Sequence, residues 1–296
     1  MHGKITNIRE TLLRLNLINN HDVRIFSNKT RDNDNLVVYR DDKTKIIFID
    51  NYYVGDKEYE IGDYRTQLSS TLTSSGELED YLDVERRFKK YKQFIVNKKI
   101  CDFGCGDGSF LNISKSVTQS LIGIEIEKKC IQQINNNGIK CVTNLDGLSE
   151  PLDAFFLFHC LEHLPDPIEI LKNIHKKLKS HGVGHIVIEV PHARDFLLDY
   201  MDLDSFKNFT LWSQHLILHT RQSLQVMLID AGFNNILIEG VQRYGFDNHL
   251  NWLRYGQSGG HKNPLSVIVT DSLKNSYADS LSKMDANDTL VAIATT

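Results

Sequence analysis

Ile100-Cys101-Asp102-Phe103-Gly104-Cys105-Gly106-Asp107-Gly108-Ser109-Phe110-Leu111 is the stretch whose reading decides the fold. An apolar run, Lys99 to Phe103, reads as a strand. It passes into three glycines at alternate positions and then into a helix starting near Ser109. Glycine permits the sharp turn and lets a ligand approach the backbone with no Cβ in the way. A helix N-terminus offers N–H groups and positive potential, which suit a carboxylate or a phosphate. The last glycine gap is one residue, against two in the dinucleotide fingerprint G-x-G-x-x-G, and the Lys-Ser/Thr of a P-loop is missing.

Outward from this loop the chain alternates strand and helix. Strands are expected at Ser120 to Glu125, Lys140 to Thr143, Asp153 to His159 and Gly184 to Val190, with helices at Lys128 to Asn136 and Pro167 to Leu178. Near-continuous apolar strands separated by helices imply a parallel sheet covered on both faces. Thr220 to Ala231, closed by Gly232, reads as a further helix. Asn235 to Glu239 and Thr289 to Thr295 read as strands, and Ser276 to Met284 as a helix. The fold class is therefore α/β: a Rossmann-like, seven-stranded, mostly parallel sheet with helices on both faces. Residues 1–85 form an N-terminal extension and residues 86–296 the main domain, with an insert at 243–285 between the last two strands. The extension shows a first helix (Ile8 to Leu17), a hairpin (Leu36 to Tyr39 and Lys45 to Asp50) and an aromatic loop (Tyr52 to Tyr64). Ser74 and Glu77 then open a helix with capping-box spacing. The extension reads as a lid or a dimerisation element, so a homodimer is one expectation.

Composition narrows the function classes. The 296 residues contain 41% hydrophobic and 24% charged residues, with a formal net charge of −4. No basic surplus or stripe advertises nucleic-acid binding. The five cysteines form neither a disulfide framework nor a C-x-x-C zinc pair, which points to a reducing cytoplasm. No apolar run approaches the ~18–20 residues of a membrane span.

Further landmarks follow the glycine loop in order. Leu121-Ile122-Gly123-Ile124-Glu125 is a strand ending in an acid, the position from which a carboxylate accepts ribose hydroxyls. Asn144-Leu145-Asp146 follows the third strand. Phe158-His159-Cys160-Leu161-Glu162-His163-Leu164-Pro165-Asp166-Pro167 follows the fourth, and Trp212-Ser213-Gln214-His215-Leu216 and Asp230-Ala231-Gly232-Phe233 come later. D-x-G-C-G-x-G after a strand, with these landmarks, resembles the class I S-adenosylmethionine methyltransferases over about residues 97 to 240. The resemblance implies S-adenosyl-L-methionine as cofactor, held by Asp102, Phe103, Gly104, Gly106, Gly108, Glu125, Ile126, Leu145, Asp146 and His159. Glu125 would take the ribose, Ile126 would lie against the adenine and Leu145-Asp146 would meet its edge.

An acceptor hydroxyl must lose a proton, and a histidine with a pKa near ~6.5 suits that at neutral pH. His159, His163 and His215 are the candidates, in that order. Glu162-His163, His192, His215 and His219 are the best candidates for metal ligands, and His215 and His219 are four apart, as on one face of a zinc helix; but the glutamate of H-E-x-x-H is absent and no cysteine pair assists, so no metal is expected. The insert is rich in Arg, Tyr, Asn, His and Trp, and Arg243, Tyr244, His249 and Trp252 are its candidate substrate contacts. It resembles inserts of uncharacterised methyltransferases from bacterial surface-polysaccharide pathways. That implies O-methylation of a sugar or polysaccharide precursor. The zinc-binding cysteine cluster of sugar C-methyltransferases is absent. The other readings are methylation of another small molecule, a lipid-quinone or a tRNA, and a non-catalytic cofactor-binding scaffold.

Overall fold

The protein, studied as a computed structural model, is described over residues 7–62, 74–178, 182–262 and 264–296. The first side chains of the helix at Ser74, including the capping-box pair, and the end of the aromatic loop lie outside the described residues.

Seven strands form the central sheet: β4 (Lys99–Phe103), β5 (Ser120–Ile124), β6 (Lys140–Val142), β7 (Ala154–Phe158), β8 (His185–Pro191), β10 (Asn234–Val241) and β11 (Thr289–Thr295). Their order is β10-β11-β8-β7-β4-β5-β6. β4 pairs parallel with β5 and β7, β5 with β6, and β7 with β8. β11 inserts antiparallel between β8 and β10, so β10 runs parallel to the rest. The sequence-level fold class is the observed one.

The central strands are apolar because both faces are covered. Phe155, Phe156 and Leu157 of β7 and Ile186, Val187 and Ile188 of β8 are all fully buried. On one face α3 (Ser74–Lys90) and α4 (Ser109–Ser114) pack over Phe110, Phe156 and Phe158. On the other, α6 (Pro167–Lys177) and α8 (Arg221–Asp230) cover Leu171, Ile174, Leu224 and Leu228. Each helix start carries local chemistry. Asp166 accepts the Glu169 N–H before α6, with Pro167 at the first helical position, and Thr220 and Ser223 cap α8 reciprocally.

The N-terminal segment packs into the same body. Ile8 and Leu12 of α1 (Ile8–Arg14) join the main core with Ile46 and Phe48. A second, antiparallel sheet has the order β1-β2-β3-β9. It contains β1 (Val23–Ser27), the hairpin β2 (Val38–Asp41) and β3 (Ile47–Ile49), and the two-residue β9 (Ile217–Leu218). Ile47 pairs with Leu218 and Phe48 with Ile217, so the hairpin is tied to a distant segment. β1 was not anticipated from sequence: Val23-Arg24-Ile25-Phe26-Ser27 lies at an edge, half exposed, and lacks an apolar run. One helical expectation is corrected. His215 and His219 share no helix face, because they flank β9. Beyond β10 the insert holds α9 (Phe246–Tyr255) and α10 (Asp271–Lys283). Among the described residues no helix is long and apolar enough to cross a membrane.

Candidate active site

The carboxyl ends of β4, β5, β7 and β8 form one rim, the place where open parallel sheets bind ligands. Gly104, Gly106 and Gly108 follow β4 with φ of +74°, +58° and +79°, a region that side chains disfavour. At Gly104 a Cβ would also meet Cys160 Sγ at 2.6 Å, so the loop after β4 lies directly against the loop after β7. Glu125, 6% exposed, caps the end of β5. Its Oε2 accepts the Gly106 N–H at 2.8 Å, and its Oε1 accepts those of Ile126 and Glu127 at 2.7 and 3.1 Å. One carboxylate thus joins the glycine loop to the next strand end. Asp102, 3% exposed at the base of the loop, has its pKa pushed up to about 7 by burial.

His159 leaves β7 with φ +50°, a strained conformation for a residue bearing a Cβ. Arg243 NH1 lies 3.1 Å from its Nε2. A guanidinium only donates, so Nε2 is the lone-pair nitrogen and Nδ1 carries the proton of the neutral ring. Nδ1 lies 3.4 Å from Glu162 Oε1. Arg243 also donates from Nε to Asp83 at 2.6 Å, while Asp288 Oδ2 accepts the backbone N–H groups of Arg243 and Tyr244.

Behind His159 sits Glu189 on β8, fully buried. Its Oε1 accepts from Arg86 NH2 at 2.6 Å and from Arg87 Nε and NH2 at 3.1 and 2.9 Å. Burial alone would raise its pKa. The Arg87 and Arg86 guanidiniums outweigh burial and hold it well below the usual carboxylate range. Arg87 also stacks over Phe158, 4.6 Å from the ring centroid.

Residues 66–238 match the family described as a methyltransferase domain. The chain belongs to that family. A SAM-dependent methyltransferase from Archaeoglobus fulgidus shares the fold with a TM-score of 0.51. It is 22% identical, over 73% of this chain and 94% of its own. The plantazolicin methyltransferase BpumL, solved in complex with SAH, is 20% identical over 81% and 93% of the two chains, with a TM-score of 0.49. Among curated proteins no match is found.

The methyltransferase domain brings together much of what the sequence singled out. Asp102, Phe103, the three glycines, Glu125 and Ile126 surround the ends of β4 and β5. Leu145 is buried after β6, where the Asn144 side chain accepts the Asp146 N–H. His163 and His215 lie with ring centroids 5.0 Å apart, beside Trp212. His163 Nδ1 lies 3.0 Å from the Gln214 carbonyl, so it donates and leaves Nε2 as the lone-pair nitrogen. Burial, then the neighbouring His163, lowers the His215 pKa to about 3. From α2 (Asp56–Ile61), Tyr59 lies edge-on to His163, and Gly62 just beyond packs on Glu127. The segment therefore spans the rim from the end of β7 to the end of β5.

The four insert candidates divide. Arg243 reaches His159, and Tyr244 is partly exposed under the Arg243 guanidinium. His249 and Trp252 are 2% and 3% exposed. His249 stacks on Phe196 and bonds Tyr277, while Trp252 packs on Phe206 and Phe209. Both hold the insert onto the body.

Glu189, Arg86, Arg87, Asp83 and Asp288 were missed by sequence reasoning. The available signal was a lone acid inside the apolar run His185-Ile186-Val187-Ile188-Glu189-Val190. Arg86-Arg87 reads as a surface charge run until β8 supplies its partner. A depression of about 270 Å³ lined by Phe94, Asp153 and His185 lies at the opposite end of the strands, away from this chemistry.

Proposed function

We propose that this protein transfers a methyl group from S-adenosyl-L-methionine to a hydroxyl of a small polar acceptor, a sugar or surface-polysaccharide precursor being the first choice. The cofactor, when bound, supplies the electrophilic methyl on its sulfonium sulfur. One observation carries the reading: the loop–acid pair at Gly104–Gly108 and Glu125 stands on the same rim as a half-buried, charge-lined wall at His159 and Arg243. Positive φ at three successive glycines keeps the backbone open to the cofactor, and the Glu125 carboxylate, fixed by three N–H groups, accepts the ribose hydroxyls. Asp102 orients the loop from below. Ile126, Leu145 and Asp146 frame the base.

At the acceptor side, the lone pair of His159 Nε2 takes the hydroxyl proton, and Arg243 anchors the acceptor's oxygens as it leaves that nitrogen. His163 is the second choice of base. His215 is a weak proton acceptor, since burial lowers its pKa. The segment from Tyr52 to Gly62 covers the rim and excludes water, which methyl transfer requires more than acid or base help. Ionic and hydrogen-bonding walls favour a hydroxylated acceptor over a quinone, and the net charge of −4 disfavours tRNA.

Calorimetric titration with S-adenosylmethionine and its demethylated product tests the cofactor. Glu125→Ala is expected to weaken binding at least tenfold, about 1.4 kcal/mol. No binding to folded protein, or equal affinity in the variant, would overturn the cofactor assignment. In an acceptor screen, Arg243→Met should raise the acceptor KM. Turnover confined to quinones or tRNA would refute the sugar reading.

A further inference from the structure

We propose that Glu162, His163 and His215 form a binding site for one divalent first-row transition-metal ion. The three come from two segments. Glu162 and His163 lie in the one-turn helix Leu161–His163 after β7, and His215 lies in the turn leading into β9. One potential ligand atom from each falls within 4.8 Å of the others. Bond lengths of about 2.0–2.2 Å would set such ligands about 3–3.5 Å apart, a closure that side-chain rotations supply.

The polar atoms point to a ligand. Glu162 is fully buried, yet among the described residues its carboxylate meets only a long contact, His159 Nδ1 at 3.4 Å from Oε1, and no hydrogen bond of good geometry reaches either oxygen. His215 Nδ1 is likewise buried, with no hydrogen-bond partner among the described residues. A buried carboxylate normally accepts several hydrogen bonds, and leaving one without them costs about 1–3 kcal/mol or more. Here its surroundings are imidazoles: His159, His163 and His215, with His219 beyond. A bound cation satisfies the oxygens and the Nδ1 lone pair together.

The framework is also held in place. The Leu216 N–H donates to the Glu162 carbonyl at 2.8 Å, locking the two segments together. His163 Nδ1 donates to the Gln214 carbonyl, which presents Nε2 as the ligand nitrogen. Metal-binding histidines typically fix their orientation through such a second bond. Trp212 and Tyr59 pack edge-on against His163 and form an aromatic wall. Two imidazoles and one carboxylate suit zinc or iron(II) rather than magnesium or calcium, which prefer oxygen cages. Three protein ligands leave coordination positions open. Since Glu162 also lies 3.4 Å from His159, those positions adjoin the acceptor wall, where an acceptor oxygen can bind. This last role rests on the methyl-transfer reading; the binding of the ion does not.

Cobalt(II) is the probe, added to tag-free, chelator-stripped protein and followed by visible ligand-field absorption and calorimetry. One equivalent is expected to bind. Glu162→Gln and His215→Ala should each weaken it at least about tenfold, and His21→Ala, at an exposed histidine, should leave it unchanged. Circular dichroism reports folding of each variant; if Glu162→Gln fails to fold, His215→Ala decides. Absence of stoichiometric cobalt binding to the folded protein, or binding untouched by His215→Ala, overturns the site. Titration of S-adenosylhomocysteine on the same preparations separates failure of the metal site from failure of the cofactor reading.

Discussion

Glu189→Gln tests whether the charge cluster behind His159 is a unit. The substitution keeps the shape and removes one negative charge at a fully buried position. Two guanidiniums contact Glu189 Oε1 at 2.6–3.1 Å. At such distances each attraction is about 5 kcal/mol at an effective dielectric near 20, and the desolvation of the carboxylate opposes it. Breaking a buried pair from one side costs about 3–5 kcal/mol. Arg86 retains Asp83, and the Arg86 and Arg87 side chains are 26% and 12% exposed, so water recovers part of this. The expected loss is about 2–4 kcal/mol. At roughly 2 °C per kcal/mol for a chain this long, the melting temperature falls about 4–8 °C. Thermal and urea unfolding measure it, and a double-mutant cycle with Arg87→Gln should return a coupling of about 1–3 kcal/mol. A loss below about 1 kcal/mol, the scale of an exposed ion pair, or a coupling of zero, would refute the reasoning.

Two other expectations concern the loop and the buried ionisable groups. Gly104→Ala combines a φ of +74° with a collision at Cys160 Sγ, so it should destabilise by about 2–4 kcal/mol. Adding Cys160→Ala should recover the collision but not the strain; wild-type stability in the single variant would show that the loop relaxes freely. For pH, burial lowers His192, His219 and His249 to about 4 and His215 to about 3. Their folded pKa values lie below the unfolded value of about 6.5, so each costs about 1.4 kcal/mol per pH unit as pH falls below that value. Asp102 and Asp195, raised to about 7 and 8 by burial, run the other way and offset two of the four. The net expectation is a loss of about 2–3 kcal/mol per pH unit between about pH 6 and pH 4.5, read from urea unfolding across that window. Stability that is flat or rises as pH falls there would contradict the burial of these histidines.

Local rules written into contiguous residues carried far. An apolar strand that turns through Gly104, Gly106 and Gly108 into Ser109 has few other conformations open to it, because only glycine accepts positive φ at three alternate positions. The acid ending β5 was legible for the same reason: Leu121 to Glu125 is a short apolar run with one charge at its tip. Alternation of buried strands with helices made the parallel sheet readable, and β11 was visible as an apolar run. Sequence alone also singled out Arg243, and His159 at the exit of β7.

Tertiary structure decided the rest, wherever meaning comes from a partner far along the chain. Arg86 and Arg87 look like solvated charges until Glu189 is brought beneath them by β8. His215 appeared to share a helix with His219 because four-residue spacing is the only periodicity a linear reading can test; pairing of β9 with β3 extends that segment and turns His215 toward Glu162 and His163. His249 and Trp252 have the composition of a binding surface, yet the fold buries them, since an aromatic ring gains as much from covering a core as from facing a ligand. Sequence determines what each residue can do locally, while the long-range contacts that set burial, charge partners and the donor set around Glu162 exist only once the sheet has formed.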